Sequence, residues 1–586
     1  MNVPQIRRRT PAAVDGFGSG LHPVLRRVYA ARGVASDAEL DLSLGRLLPV
    51  SSLPNVDAAA RLLAAHRSGG RVLVVGDFDA DGATSSALMV RALRALRFQD
   101  VDFLVPNRFQ FGYGLTPEIV AIAAGRRPSL IVTVDNGVSS LDGVDAARAV
   151  GIEVLVTDHH LPGAVLPRAQ QIVNPNLTGS SFGSPALAGV GVAFYVVVAL
   201  AQLLDQADFK PADLLDLVAL GTVADVVPLD HNNRILVAQG LRRIRAGRCA
   251  PGITALLECA GRDPGRITAA DLGFAAAPRL NAAGRLTDMS LGIACLLAAD
   301  AGAARPLAEQ LSRLNDERRE IEQRMQQEAV DIAAGLRAGA GTDACGLCLF
   351  DESWHQGVVG LVAGRIKDRL HRPVIAFACA EDGSLRGSAR SIAGIHIRDA
   401  LDSMAARHPG LIAKFGGHAM AAGLTLERDR LPEFQRAFAD EIARRSDAEL
   451  LTGVIHSDGA LTAAELSLDT ARALRAAGPW GQGFPEPVFD GEFALVEARI
   501  VGERHLKLRL AAEPGAATQA RPAPFDAIAF GYVGSPGESA ALRPGVRVRV
   551  AYRLEVNEYQ GNERVQLNCQ QLAPQTASAG RPTDQA

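Results

Sequence analysis

The sequence has no excess of charge of either sign. Its 61 Lys and Arg stand against 64 Asp and Glu, a net charge of −3. No overall basic field therefore draws it to nucleic acid, and any such contact has to come from local patches. Cysteine is sparse, at seven, and only Cys345 and Cys348 form a C-x-x-C. No second pair accompanies them and their flanks read as a strand, so they are expected in a core and not on zinc. An odd count without a framework excludes a disulfide scaffold and suits a reducing compartment. Long hydrophobic runs are missing too. The longest, residues 186–201, is interrupted by glycine and falls short of the ~20 residues of a membrane span, so it reads as a buried helix. Arg7, Arg8 and Arg9 precede no apolar stretch, so no secretory signal is expected. What remains is a long chain of ordinary globular composition, 48% hydrophobic and 21% charged. Its 586 residues exceed one core, and three or four domains are expected.

The most informative stretch is RVLVVGDFDADGATSS, residues 71–86. Residues 72–75 are an apolar β-branched run, fit for a strand buried on both faces. Asp77, Asp79 and Asp81 follow on alternate residues. Gly82 suits a sharp turn, and a helix is predicted from Thr84 onward. The acids thus sit where a strand ends and a helix begins, the edge at which open α/β sheets bind ligands. Like charges this close repel unless cations neutralise them. An acidic solvated turn and a calcium loop are the alternatives. A helix–loop–helix calcium loop needs a bidentate Glu at its twelfth position, which here is Leu88, and a helix before it, where this chain has a strand. A divalent-metal site is the expectation.

Candidate strands at 72–75, 101–105, 130–134, 153–156 and 172–173 alternate with helical stretches, which predicts a parallel sheet covered on both faces. Acids and histidines recur at strand ends: Asp135-Asn136-Gly137 after the third, Asp158-His159-His160 after the fourth. A lone Asp there is commonly a helix cap, but three strands ending in ligand side chains along one edge can converge. Asp225, in the apolar segment LGTVADVVPL, is a further acid with no evident cationic partner. Mostly oxygen ligands with a histidine favour magnesium or manganese. Two such ions ~3.5–4 Å apart would clamp the attacking and leaving oxygens of a phosphoryl displacement.

GDFDADG, VDNG, DHH and GTVADVVPL, in this order, resemble the DHH phosphoesterase superfamily. PRLNAAGR (278–285), WHQGVVGLVAGRI (354–366), GSAR (387–390), FGGHAMAAG (415–423) and PWGQGFPEPVF (479–489) narrow the likeness to its single-stranded-DNA-specific exonucleases. The likeness spans roughly residues 15–572. It implies metal ligands Asp79, Asp81, Asp135, His159 and Asp225, with Asp135 bridging two divalent cations, Mn2+ or Mg2+. It implies catalytic support from Asp77, a contact of His160 with the scissile phosphate, and a 5′-phosphate pocket drawing on Arg108, Arg279, Ser388 and Arg390, with His418 also binding substrate. The implied reaction is 5′-to-3′ degradation of single-stranded DNA to nucleoside 5′-monophosphates, in repair and recombination. The implied partners are single-stranded DNA with a 5′ end, a single-stranded-DNA-binding protein and a helicase, with no membrane; a cytoplasmic monomer is expected. The rivals are another phosphoesterase of the superfamily, acting on short oligonucleotides, cyclic dinucleotides or pyrophosphate, and a scaffold that binds single strands without cutting. A basic C-terminal sheet argues against the first. Missing ligands would mark the second, and here all five are present.

The rest of the chain fits this frame. Residues 305–336 read as one long helix, spanning ~48 Å at ~1.5 Å per residue and bridging two domains, with AGAGT (338–342) as a linker. A second α/β unit is predicted, with strands at 346–350 and 373–377 and helices at 357–370 and 397–407; it carries Ser388, Arg390 and a Gly416-Gly417-His418 turn whose amides suit an anion. Near the C-terminus, 505–510 and 546–554 alternate, with Arg547, Arg549 and Arg553 on one face, as in an oligonucleotide-binding barrel. The expected fold class is α/β: residues 1–304 as N-terminal helices plus a parallel-sheet DHH domain, 305–342 as bridging helix and linker, 343–448 as a smaller DHHA1-like α/β domain, 449–573 as an OB-like β-barrel, and 574–586 as a disordered tail.

Overall fold

The computed structural model describes residues 4–11, 16–107, 111, 113–340, 345–502, 505–512, 523–532, 542–559 and 561–575. They sort into two compact units, Leu42–Leu451 with Pro479–Phe484, and Met1–Asp41 with Thr452–Gly478 and Pro485–Ala586. No helix among the described residues is long and apolar enough to cross a membrane.

The first unit is built on a five-stranded sheet of β1 (Arg71–Gly76), β2 (Asp100–Leu104), β3 (Leu130–Val134), β4 (Glu153–Thr157) and β5 (Gln171–Val173). Every pairing is parallel, in the order β2-β1-β3-β4-β5. The continuous apolar runs of β1 and β3 are buried throughout, as strands covered on both faces require. The order reverses between β1 and β3, so a crevice opens beyond their C-terminal ends.

Helix α1 (Ala80–Ala95) starts earlier than residue 84. Asp79 is its N-cap, accepting from the Gly82 amide at 3.0 Å, so Asp81 and Gly82 lie in the first turn. Gly82 is therefore no sharp turn: a side chain there would overlap the Asp77 backbone, and its absence lets the helix press onto the strand end. Helix α2 (Leu215–Ala224) ends at Asp225, and α3 (Ala277–Leu286) follows one π-helical turn, Leu272–Ala276. Helix α4 (Ala301–Ala340) is longer than 305–336 at both ends. Ala304, Ala308 and Leu311 are buried in its first part, whereas Met325, Ala329 and Ala333 belong to the core of the second sheet.

That second sheet holds β6 (Leu347–Phe350), β7 (Val374–Cys379), β8 (Leu385–Arg390), β9 (Lys414–Gly417) and β10 (Ala421–Leu426), in the order β9-β10-β8-β7-β6. Only β6 and β7 pair in parallel. Helices α5 (Val359–Leu370), α6 (Ile397–Arg407) and α7 (Leu431–Arg445) pack with it. The three antiparallel strands escaped the sequence because β8 and β9 are short of apolar residues. Gly416 and Gly417 lie in β9, and the reversal comes only at His418–Met420.

The other unit contains a closed five-stranded barrel: β11 (Phe489–Val501), β12 (His505–Ala512), β13 (Phe525–Ala529), β14 (Arg547–Tyr559) and β15 (Asn562–Pro574), in the order β11-β12-β13-β15-β14. Residues Gln5–Arg8, read in sequence as part of a helical region, form a strand parallel to Val454–Ser457. Four residues rich in arginine carry no strand period, and the pairing is visible only in three dimensions. The basic face expected on β14 is partly neutralised, since Arg549 pairs with Asp490 at 3.5 Å and Arg553 with Glu486 at 2.6 Å. Most of the predicted tail at 574–586, and the linker from residue 341, lie outside the described residues.

Candidate metal centre

The crevice at the β1/β3 ends collects the acids. Asp77 follows β1, and its Oδ1 accepts from the Phe78 amide at 2.7 Å. Asp81, one residue into α1, points across to residues 189–190, where its carboxylate accepts from the Gly189 and Val190 amides at 2.7 and 3.0 Å. Asp135, directly after β3, has a left-handed backbone (φ 63°), a conformation that is costly outside glycine. Asn136 braces it by donating to the carbonyls of Val75 and Val134, tying the two strand ends together. Gly189 and Gly221 make room, since a Cβ at the first would overlap the Asp135 side chain and at the second would strike Thr84 and Asp81.

Three groups of ligand atoms each lie within 4.8 Å of one another: Asp77, Asp79 and Asp135; Asp81, His159 and Asp225; and Asp135, His159 and His160. The first two share no residue, and the third joins them. All the expected metal ligands are thus brought together.

The electrostatics test whether a cation fits. Burial, then Asp225, pushes Asp81 well above the usual carboxylate range; burial, then Asp81, does the same to Asp135. Burial and Asp79 raise Asp225 to about 7. His159 Nε2 lies 3.2 Å from Asp135 Oδ1 and 3.5 Å from Asp225 Oδ2. Yet Nε2 and Asp135 Oδ1 are buried atoms with no hydrogen-bond partner among the described residues. The short separation without hydrogen-bond geometry marks lone pairs converging on a common point. Burial lowers His159 to about 4, leaving it neutral and able to ligate. Buried, crowded acids with an orphaned imidazole nitrogen fit divalent cations.

His160 differs from its neighbour. Burial works against its charge, but the Asp158 carboxylate, accepting from its Nδ1 at 2.8 Å, holds it up at about 9. Asp158 also accepts the backbone amides of His159, His160 and Val138, which orients the whole DHH turn. Sequence reading passed over Asp158, although its place before two histidines was a usable signal. It also passed over Tyr113, whose hydroxyl donates to the Asp135 carbonyl and lies 3.2 Å from His160 Nδ1.

The substrate residues divide. His418 comes to the cluster, its ring stacked on that of His160 at 6.3 Å between centroids. Arg390 donates to Ser388 at 3.1 Å, and a Cβ on Gly360 would meet both side chains. Arg279 does not join them. It is 7% exposed and donates to Ser312 Oγ, the Ala275 carbonyl and the Cys259 carbonyl at 2.9, 2.7 and 3.4 Å. Arg285, at the end of the same motif, donates to the Gly357 carbonyl at 3.1 Å, just before α5, whose Gly360 abuts Ser388 and Arg390. Arg108 lies outside the described residues. Asn281 holds the metal loop from below, accepting from the Ala80 amide at 2.9 Å.

Comparison with known proteins agrees with this geometry. Residues 71–222 match the DHH family N-terminal domain, 343–444 the DHHA1 domain and 457–571 the RecJ OB domain. The chain is 53% identical over 583 residues to the single-stranded-DNA-specific exonuclease RecJ of Escherichia coli, covering 97% of this chain and 99% of that one. It is 33% identical to the same-named protein of Bacillus subtilis, over 87% of this chain and 62% of that one. Crystal structures of Thermus thermophilus RecJ with Mn2+ and with Mg2+ superpose with TM-scores of 0.78 and 0.73, at 33% and 32% identity, over 95% of this chain and 76% and 75% of theirs. A relative of this identity and coverage, together with three domain matches in the order of the fold, leaves one conclusion: the chain belongs to the RecJ family of single-stranded-DNA-specific exonucleases.

Proposed function

We propose that the protein hydrolyses single-stranded DNA from its 5′ end, releasing nucleoside 5′-monophosphates, in DNA repair and recombination. The observation that carries this reading is the Asp and His cluster at the sheet's switch point, in which Asp135 Oδ1 and His159 Nε2 are buried without a hydrogen-bond partner among the described residues. Asp79, Asp81, Asp135, His159 and Asp225 would hold two divalent cations, Mn2+ or Mg2+, with Asp77 supporting them. When bound, these cations supply an activated water and stabilise charge on the phosphate oxygens.

The chain's own residues do the rest. His160, kept protonated by Asp158, donates toward the scissile phosphate. His418 stacks on it and limits its movement. Ser388, Arg390 and Arg285 are assigned to the terminal 5′ phosphate, because a planar guanidinium fork suits a compact dianion. Anchoring the end there sets the next phosphodiester over the acids and so fixes direction. Cutting one chain demands no second subunit, since the whole cluster comes from a single chain. A substrate that must be single-stranded favours a helicase and a single-stranded-DNA-binding protein as partners. Seven free cysteines suit the reducing cytoplasm. The domain limits proposed are 1–304, 305–342, 343–448 and 449–573.

Digestion of an oligonucleotide labelled at either end, with manganese, tests the reading. Mononucleotide release from the 5′ end, stopped by EDTA and restored by Mn2+ or Mg2+, is expected; release from the 3′ end would overturn the direction.

A further inference from the structure

Phe274 is the most exposed large apolar side chain among the described residues, at 79%. It stands on the π-helical turn Leu272–Ala276, in which the Ala277 amide reaches back to the Leu272 carbonyl. Such turns re-aim side chains and recur at functional sites. This one is braced: Arg279 donates to the Ala275 carbonyl and is itself pinned by Ser312. Arg279, expected from the sequence at the substrate, thus supports the backbone of the turn that carries Phe274.

The turn lies at the rim of the metal centre. A Cβ on Gly273 would sit 3.2 Å from Val223, two residues before Asp225. Val226, directly after Asp225, is 62% exposed and has a left-handed backbone (φ 61°). That conformation is an outlier for a β-branched residue and persists only where its surroundings impose it. The segment Pro479–Phe484 supplies that constraint: the Leu229 amide donates to the Gln482 carbonyl at 2.7 Å, and Gly483 abuts Pro228. Val226 is thus held out directly after Asp225, and Phe274 stands in solvent on a turn that packs against Val223 of the same segment.

We propose that Phe274 is a stacking platform for a nucleobase of the substrate strand. The inference rests on the proposed function. One exposed side chain makes a patch far smaller than the several hundred Å² of a protein-docking surface. One aromatic face, by contrast, is what a base needs, and stacking tolerates any sequence because every base has a π-face. The run Leu272–Leu286 places Phe274 near its start and Arg285 near its end, roughly 16 Å apart at about 1.5 Å per residue. The base held is therefore an interior one, not the 5′-terminal one.

The test uses 5′-phosphorylated strands carrying one abasic residue at each successive position, cut with Mn2+ by the wild type, Phe274→Ala and Phe274→Trp. Affinity for the intact strand is measured alongside, without divalent metal. Phe274→Ala should lose roughly tenfold in kcat/KM and in affinity on intact strands, the size of one base–aromatic stack, and Phe274→Trp should recover most of it. The decisive reading is positional: the wild type should be impaired by an abasic residue at one interior position, and Phe274→Ala should be indifferent to it. A loss in Phe274→Ala that is equal at every abasic position, as from a partner-docking or purely structural role, would overturn the platform. So would a variant matching the wild type on intact strands. A wild type that cuts no single strand would overturn the proposed function and the platform with it.

Discussion

The two sheets of the first unit treat buried carboxylates in opposite ways. Around the ends of β1, β3 and β4, no Arg or Lys is ion-paired to Asp79, Asp81, Asp135 or Asp225 among the described residues, and the last three titrate upward. On α7, behind the second sheet, Glu441 is as buried as Asp81 and Asp135 but accepts from Arg407, Arg444 and Arg445. Burial pushes it up, yet the three guanidinium groups prevail and hold it at about 2. Elsewhere in the unit Glu322 is satisfied in the same manner by Arg318 and Arg365. A buried acid supplied with its own cations is part of the scaffold. One left without them marks the place for a cation from outside.

The hardest test of this contrast is Asp135→Ala. It should abolish cleavage, by about a thousandfold or more, while single-strand binding stays close to the parent value; activity within about tenfold, a barrier change of only ~1.4 kcal/mol, would remove Asp135 from the centre. Asp135→Asn sharpens the same point in the absence of metal. Removing one of several crowded like charges should raise the thermal midpoint of the metal-free protein, and Mn2+ should stabilise the parent more than the variant.

Arg390→Ala comes next. It should lower the rate on 5′-phosphorylated strands by about ten- to a hundredfold, the scale of a charged hydrogen bond, and much less on 5′-hydroxyl strands. Arg285→Ala should share this pattern and Arg279→Ala should not. Equal losses on both substrates would place the end pocket elsewhere.

Glu441→Gln should leave activity unchanged and cost about 2 kcal/mol of stability, a figure already reduced because the arginines are partly exposed to solvent. The folded value of about 2 lies below the ordinary 4.5. This contribution is therefore complete above the unfolded value and disappears as pH falls from about 4.5 toward 2. Denaturation curves of the two proteins should differ at pH 6 and converge at pH 2 to 3. A difference that persists at low pH would mean that packing, not charge, sets the effect.

The smallest effect is expected in the barrel. Lys507 and Arg509 lie on β12, with Arg499 opposite Lys507 on β11. Replacing Lys507 and Arg509 with alanine should weaken binding to long strands a few-fold and reduce the salt slope by about 1 to 2. Short strands should be cut as before; an unchanged slope would remove this face from the nucleic-acid surface.

Much of the metal centre was legible because each ligand sits next to an element with a strong local signal. The runs before Asp77, Asp135 and Asp158 are apolar and β-branched, and a parallel sheet places such strand ends along one edge whatever the details of packing. The second sheet was half legible for the converse reason. Its parallel pair is apolar, but β8 and β9 are stabilised by pairing with β10, and a strand held by its neighbours leaves little mark on its own residues. The strand Gln5–Arg8 is the extreme case, since its partner lies some 450 residues away.

The amino-acid sequence by itself determined which atoms can bind metal: oxygen donors and imidazole at strand ends are a property of residue type and local period. It could not determine where each of the two arginines of PRLNAAGR points. Arg279 and Arg285 share one short helix, but at about 100° per residue they project roughly 120° apart around its axis. Both are equally suited to phosphate, so the choice belongs to the packing of α3. The side against α4 buries Arg279 on Ser312, and the other end ties Arg285 to the Gly357 carbonyl. The same packing, through the π-helical turn that Arg279 supports, holds Phe274 in solvent, a position that no hydrophobic pattern assigns to a phenylalanine.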